Sequence, residues 1–287
     1  MAQNVYQMVT DRIIEELNKG IIPWHKPWTG AADGAISYVS RKPYSFLNQL
    51  MLGNPGEYIS FKQCKELGGN IRKGAKSKIV VFYAMVENKN AEIKHEDGSV
   101  TYGKYPILKY YNVFHISDCE GIESKLKADE PKVFNPIEEA ENVINGYIGR
   151  EEKLKLKHLL SNRAYYSPTF DEVVLPLKTQ FVNEPEYYST AFHELTHSTM
   201  PVYRCDRKED NKLAAFGDED YSREELVAEL GSAMLCNHCG IDLDSAFKNQ
   251  VAYIQSWLKA LKNDNKMIVW ASSRAEKAAK YILNINE

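Results

Sequence analysis

Val5, Val9, Ile13 and Leu17, joined by Tyr6 and Ile14, recur every three to four residues, the spacing of one buried helical face. They predict an amphipathic helix over residues 3–19, ended by Gly20. The segment from Ile21 to Trp28 then reads as extended chain, because Pro23 and Pro27 bias their predecessors away from helix. A turn at Ser40-Arg41-Lys42-Pro43-Tyr44 leads into a short helix within 36–52. Tyr58-Ile59-Ser60 predicts a short strand, and Phe61 to Leu67 a short helix closed by Gly68-Gly69. Two apolar, β-branched runs, Lys78 to Glu87 and Tyr105 to Ile116, predict longer strands around a polar, hairpin-like segment.

Residues 118–136 are acidic and lysine-rich and carry Pro131 and Pro136, which marks a linker. Beyond it, Ile137 to Gly149 predicts a helix, and residues 165–168 and 172–176 two strands around a turn at Thr169-Phe170-Asp171. A helix opening at Glu184-Pro185-Glu186 and stopped by Pro201 follows, then a loop over 202–221. Further helices run from Glu224, over 245–262 and over 266–285. The expected fold class is α+β in two domains. Residues 1–120 form the first, 121–136 the linker and 137–287 the second.

A chain of 287 residues, 44% hydrophobic and 26% charged, has enough apolar mass for two modest cores. Its longest uncharged apolar run, Ile79 to Val86, is far too short to span a bilayer. Asp11, Arg12, Glu15 and Glu16 interrupt the first apolar pattern, which excludes a signal peptide and predicts a cytoplasmic protein with no membrane partner. Five cysteines without framework spacing predict reduced thiols. Cys236 and Cys239 form a Cys-x-x-Cys with no second pair, and read as packing residues.

The chemistry concentrates at His193-Glu194-Leu195-Thr196-His197. Residues four apart share a helix face, so His193 and His197 can aim two imidazoles at one Zn²⁺. Glu194, beside the first ligand, is placed to act as general base. Tyr187, Tyr188, Ala191, Phe192 and Leu195 make this helix apolar, and buried histidines and carboxylates need partners. A third ligand is expected from the run beginning Glu224-Glu225, where Glu225 and Glu229 again share a face. Its acidic spacing resembles the glutamate-ligand zincins, which implies Glu225 as ligand and Glu229 as hydrogen-bond partner of one histidine. The alternative is a capping box of Ser222 and Glu225, which would leave Glu229 as the ligand. Tyr221 is a candidate donor to an oxyanion.

Net charge is −3, with a small basic excess in the first 120 residues and an acidic one beyond. Lys62, Lys65, Arg72, Lys73, Lys76 and Lys78 fall close together among Gly68, Gly69 and Gly74. Such a loop suits phosphates. Trp24, Trp28, Tyr44 and Phe61 are candidate platforms for unpaired bases, with Arg41 and Lys42 adding charge. The competing interpretation makes the aromatics core and the lysines a solvated face.

The chain resembles the ArdC family of antirestriction proteins of plasmids and other mobile elements. The first half matches through Ile21-Ile22-Pro23-Trp24, Arg41-Lys42-Pro43-Tyr44, Leu67-Gly68-Gly69, Arg72-Lys73-Gly74 and Tyr110-Tyr111-Asn112-Val113-Phe114. The second matches through Ala164-Tyr165-Tyr166, Phe192 to His197, Glu224 to Leu235 and Tyr253 to Leu258. The resemblance implies a single-stranded-DNA-binding domain joined to a zincin-like metallopeptidase acting on a protein or peptide substrate, in service of protecting conjugating DNA. A rival reading is a DNA-protecting protein whose zincin domain is structural or inactive. One departure is Ser198-Thr199-Met200-Pro201, where the family usually has Trp-Thr-Gly-His, a change that bears on the wall of the substrate cleft.

Overall fold

The computed structural model describes residues 4–24, 34–94, 100–126, 136–207, 219–243 and 250–285. Helix α1, Val5–Asn18, is capped by Asn4, whose side chain accepts from the Tyr6 amide, and buries Val9, Ile13 and Leu17 as the spacing requires. Strand β1, Ala35–Ser37, is a short addition that periodicity does not reveal. Helix α2, Phe46–Leu52, strand β2, Gly56–Ser60, and helix α3, Phe61–Glu66, follow in the predicted order. A capping box of Ser60 and Gln63 starts α3. Strand β3, Asn70–Ile71, later pairs with β6, Cys119–Glu120.

Strands β4, Lys78–Lys94, and β5, Val100–His115, extend well into the segment expected to be polar connection. They pair antiparallel from Lys78↔Val113 outward, with an irregularity between Asn88 and Glu92. The sheet order is β1-β2-β5-β4. Asn48 of α2 covers the free edge of β4, donating to the Val81 carbonyl at 2.9 Å and accepting from its amide at 2.7 Å.

Helix α4, Pro136–Arg150, opens the second half. Strands β7, Lys155–Leu159, β8, Tyr165–Ser167, and β9, Glu172–Pro176, form a sheet of order β7-β9-β8, with β7 parallel and β8 antiparallel to β9. The lysine-rich β7 has too little apolar alternation to be read as a strand from sequence. Helix α5, Glu184–Ser198, packs on this sheet. Helix α6, Glu219–His238, lies between α5 and α8, Met267–Leu283, while α7, Gln250–Asn263, packs on α1. Among the described residues no helix is long and apolar enough to cross a membrane.

One apolar cluster runs through both halves. Val9, Ile13, Leu17 and Leu50 share it with Ile144, Val173, Phe192, Leu226, Ile268 and Ala275. The Thr10 hydroxyl donates to the Asn265 carbonyl at 2.8 Å, stitching α1 to the C-terminal helices. Among the described residues, the first half keeps two small clusters of its own, around Tyr58 and around Ile59. Its sheet is too small to bury the α1 and α2 stripes, so these close against the C-terminal helices.

Candidate metal centre

Asn183 accepts from the Glu186 amide at 2.9 Å and starts α5, with Pro185 in the first turn and Glu184 and Glu186 at the positive end of the dipole. The next turns present His193 and His197 on one face. Their Nε2 atoms converge to 3.2 Å. From α6, Glu225 straddles the pair: one oxygen is 3.4 Å from His193 Nε2 and the other 3.4 Å from His197 Nε2. Among the described residues, these three form the one group of histidine, cysteine or acidic side chains gathered tightly enough to hold a metal ion. Donors at about 2.0–2.2 Å from a tetrahedral ion lie roughly 3.3–3.6 Å apart, so the observed spacings fit such a shell without rearrangement.

The far nitrogens meet a second set of carboxylates. His193 Nδ1 lies 3.7 Å from Glu229. His197 Nδ1 lies 3.3 Å from Glu224. Glu224 is in turn gripped by Arg207, whose Nη2 donates to it at 2.8 Å and to the Thr196 carbonyl at 2.9 Å. The Arg207–Glu224 pair is almost wholly buried. A compact loop delivers Arg207: its amide bonds to the Met200 carbonyl at 2.8 Å, and the Cys205 amide to the Thr199 carbonyl at 2.9 Å. In the same loop Arg204 holds both oxygens of Asp171 at 2.7 Å and Glu151 at 2.8 Å. The departure at Ser198 to Pro201 therefore sits at the root of the loop that supports His197.

Electrostatics follow from this ring of acids. Burial alone pulls the histidines down, but bonds to Glu225 and Glu229 push His193 up to about 10, and Glu224 and Glu225 push His197 up to about 9. Burial opposes ionisation of Glu225 too, yet both imidazoles hold its carboxyl far below the usual range. The pocket thus stabilises positive charge at the point where the Nε2 atoms meet, the condition a cation needs. Glu194 is 8% exposed and acts through its charge on the neighbouring His193, one of the influences that raise that imidazole.

The helix begins at Glu219, so Ser222 is an interior residue and the Ser222–Glu225 capping box does not form. This frees Glu225 for the histidines. The side chain of Tyr221 lies outside the described residues. Cys236 and Cys239 are fully buried packing residues, as their context predicts. Arg207 and Glu224 escape sequence reading: an arginine seventeen residues away carries no periodic signal, and Glu224 looks like a surface neighbour of Glu225.

The expected DNA contacts divide. Trp24 is 0% exposed and belongs to the main core, which corrects its assignment as a stacking platform: neither ring face is open. Trp28 lies outside the described residues. Tyr44 is partly buried, edge-on to Tyr58 at 6.4 Å, and fills the small core there. Arg41 is engaged by the fully buried Glu57, which also accepts from Ser124 at 2.7 Å and the Lys125 amide at 2.9 Å, so its charge is already matched. Lys42, Lys62, Arg72, Lys73 and Lys76 remain exposed.

A His-Glu-x-x-His helix, a glutamate supplied by the adjoining helix and a small mixed sheet behind them define a zincin-like metallopeptidase domain. The family model of that description matches residues 144–274, and the model for the N-terminal domain of the anti-restriction factor ArdC matches residues 3–114. The crystal structure of the antirestriction protein ArdC from plasmid R388 in its Mn(II)-bound form superposes with a TM-score of 0.72 at 31% identity, covering 99% of this chain and 98% of that one. Its metal-free form gives a TM-score of 0.69. The chain belongs to the ArdC family of antirestriction proteins. It is also 28% identical to two DNA primases TraC of Escherichia coli, matching over 97% of its own length but spanning only 20% and 27% of theirs. The uncharacterized protein y4eC of Sinorhizobium fredii is 27% identical over 91% of that protein.

Proposed function

We propose that this protein is a zinc-dependent peptidase tethered to single-stranded DNA by its N-terminal unit, residues 1–120, with 121–136 as linker and 137–287 as the peptidase domain. The observation that carries the peptidase reading is the convergence of His193, His197 and Glu225 at tetrahedral spacing, with the buried Glu194 next to His193. Two imidazoles and one carboxylate suit zinc better than the harder ions, which favour all-oxygen shells. A zinc ion bound there supplies Lewis acidity, polarising a scissile carbonyl and making water acidic enough to ionise at about neutral pH. Glu194 accepts the proton from the attacking water and returns it to the departing amine nitrogen. Glu224, held by Arg207, and Glu229 keep the imidazoles turned so that Nε2 faces the ion.

The DNA part of the reading rests on the ArdC-type N-terminal unit and on the exposed basic residues Lys42, Lys62, Arg72, Lys73 and Lys76. The test is zinc content per chain and cleavage of a casein-type unstructured substrate. Wild type should hold about one zinc, Glu225→Ala should lose it, and Glu229→Ala should bind it roughly 10–100-fold more weakly. Glu194→Gln should keep zinc and DNA while losing hydrolysis. Cleavage by that variant at the wild-type rate would sink the assignment of the base.

A further inference from the structure

The β4–β5 hairpin carries far more exposed aromatic surface than a folded monomer needs. Paired residues across the two strands project to the same side of the sheet, and neighbours along a strand alternate. The register therefore sorts the side chains. Ile79, Val81 and Leu108 project from one face and pack against the main core. The other face presents the pairs Lys78/Val113, Val80/Tyr111, Phe82/Lys109, Ala84/Ile107 and Val86/Tyr105. Val80 and Val113 are covered by the small core, and the covering stops there. Beyond it, Phe82 is 57% exposed, Tyr111 52% and Tyr105 47%, with Lys109 exposed among them.

We infer that this outer face of the hairpin, with Tyr111, Phe82 and Tyr105 as platforms and Lys109 between them, is the track on which single-stranded DNA stacks its bases. The inference rests on the proposed DNA-binding role and gives it an address. Tyr111 and Phe82 are diagonal neighbours, which sets them roughly 7–8 Å apart, while Tyr105 lies four residue steps, about 13 Å, along the strand from Lys109. Successive unstacked bases can each take one ring, and a phosphate between them meets Lys109, which sits directly opposite Phe82. Charge points to a polyanion: the five pairs on this face carry no carboxylate, and Lys109 stands exposed among the rings, while Lys78 at the covered end donates to the Leu52 carbonyl. The exposed basic loop Arg72-Lys73-Gly74-Ala75-Lys76 runs straight into β4 at Lys78, the first residue of this face. That loop adds backbone attraction at one end of the hairpin, and the exposed rings supply base stacking farther along it. Duplex DNA hides its base faces, so this surface selects single strands.

The test is fluorescence anisotropy of a labelled oligothymidylate with the full-length protein across a salt series, beside sedimentation of the protein alone. Phe82→Ala and Tyr111→Ala should each weaken binding about 5- to 150-fold with the salt slope unchanged, because stacking releases no counterions. Lys109→Ala should lower the slope by about 1. Tyr111→Phe, which keeps the ring, should bind like wild type. So should Tyr83→Ala, 55% exposed on the opposite face. Wild-type binding that survives in a Phe82→Ala/Tyr111→Ala double variant would overturn the track and leave DNA binding standing. A concentration-dependent dimer abolished by that double variant would overturn it in favour of a second copy of this chain. An oligonucleotide that never binds the wild type would remove the DNA-binding reading itself.

Discussion

Gly231→Ala tests whether the metal centre depends on how closely two helices approach. A Cβ built on Gly231 in α6 would stand 2.6 Å from Thr196 Cγ2 and 2.7 Å from Thr196 Oγ1 in α5. Ordinary carbon contacts are about 3.5–4.0 Å, so the clash is roughly 1 Å deep. Thr196 cannot yield freely: it is fully buried, and its hydroxyl donates to the Phe192 carbonyl at 2.8 Å. The helices must then separate, and Glu225, less than two turns before Gly231, moves with α6. Overpacking of this kind costs about 1–3 kcal/mol, a fall of roughly 2–12 °C in melting temperature at this size. A shift of even part of 1 Å also spoils carboxylate spacings of 3.4 Å to both histidines, so zinc affinity should fall by about tenfold or more. Thermal melting and zinc competition against a chromophoric chelator read the two effects. Adding Thr196→Ala should recover part of both losses, since it removes the atoms struck. Wild-type zinc affinity in Gly231→Ala, or no recovery in the double variant, would refute the argument.

Arg207→Ala should destabilise the fold by about 3–5 kcal/mol, because it strands the buried Glu224 charge, and should weaken zinc binding as His197 loses its anchored partner; denaturant unfolding and the same chelator competition check both. Asp171 titrates below its ordinary value of 3.8, because although burial opposes ionisation, Arg204 and Tyr166 outweigh it. A depressed folded pKa contributes stability above the unfolded value that is lost as pH falls through the folded one. Asp171→Asn keeps a residue tolerant of the left-handed backbone there, φ 49°, so it should melt below wild type at pH 7, by a gap that is narrower at pH 3. An equal gap at both pH values would be the contrary result. Trp24→Ala should cost about 3–5 kcal/mol as a core cavity, whereas oligonucleotide affinity measured on the still-folded fraction should be unchanged.

What the sequence determined by itself was local. Helix spacing set the apolar stripe of α1, Glu184-Pro185-Glu186 set the start of α5, and four-residue spacing put His193 and His197 on one face before any neighbour was known. The dense run of ArdC-like motifs identified the family for the same reason, since a motif is a property of contiguous residues. Whatever depended on distance across the chain was settled only by the tertiary structure. Glu225 and Glu229 are equivalent on a helical wheel; the angle and closeness of α6 to α5, allowed by Gly231, point the first at both Nε2 atoms and leave the second on the far nitrogen of His193. Arg207 acquires its role from a loop that folds back beneath His197. Trp24 looked available for a base and is core, because α1 and α2 have no sheet of their own large enough to cover them. The exposed aromatics of the hairpin became visible only through strand register, since alternation shows that two faces exist but not which one the rest of the protein covers. Local propensity acts between residues a turn apart, whereas a binding site is made where surfaces from distant segments exclude water together.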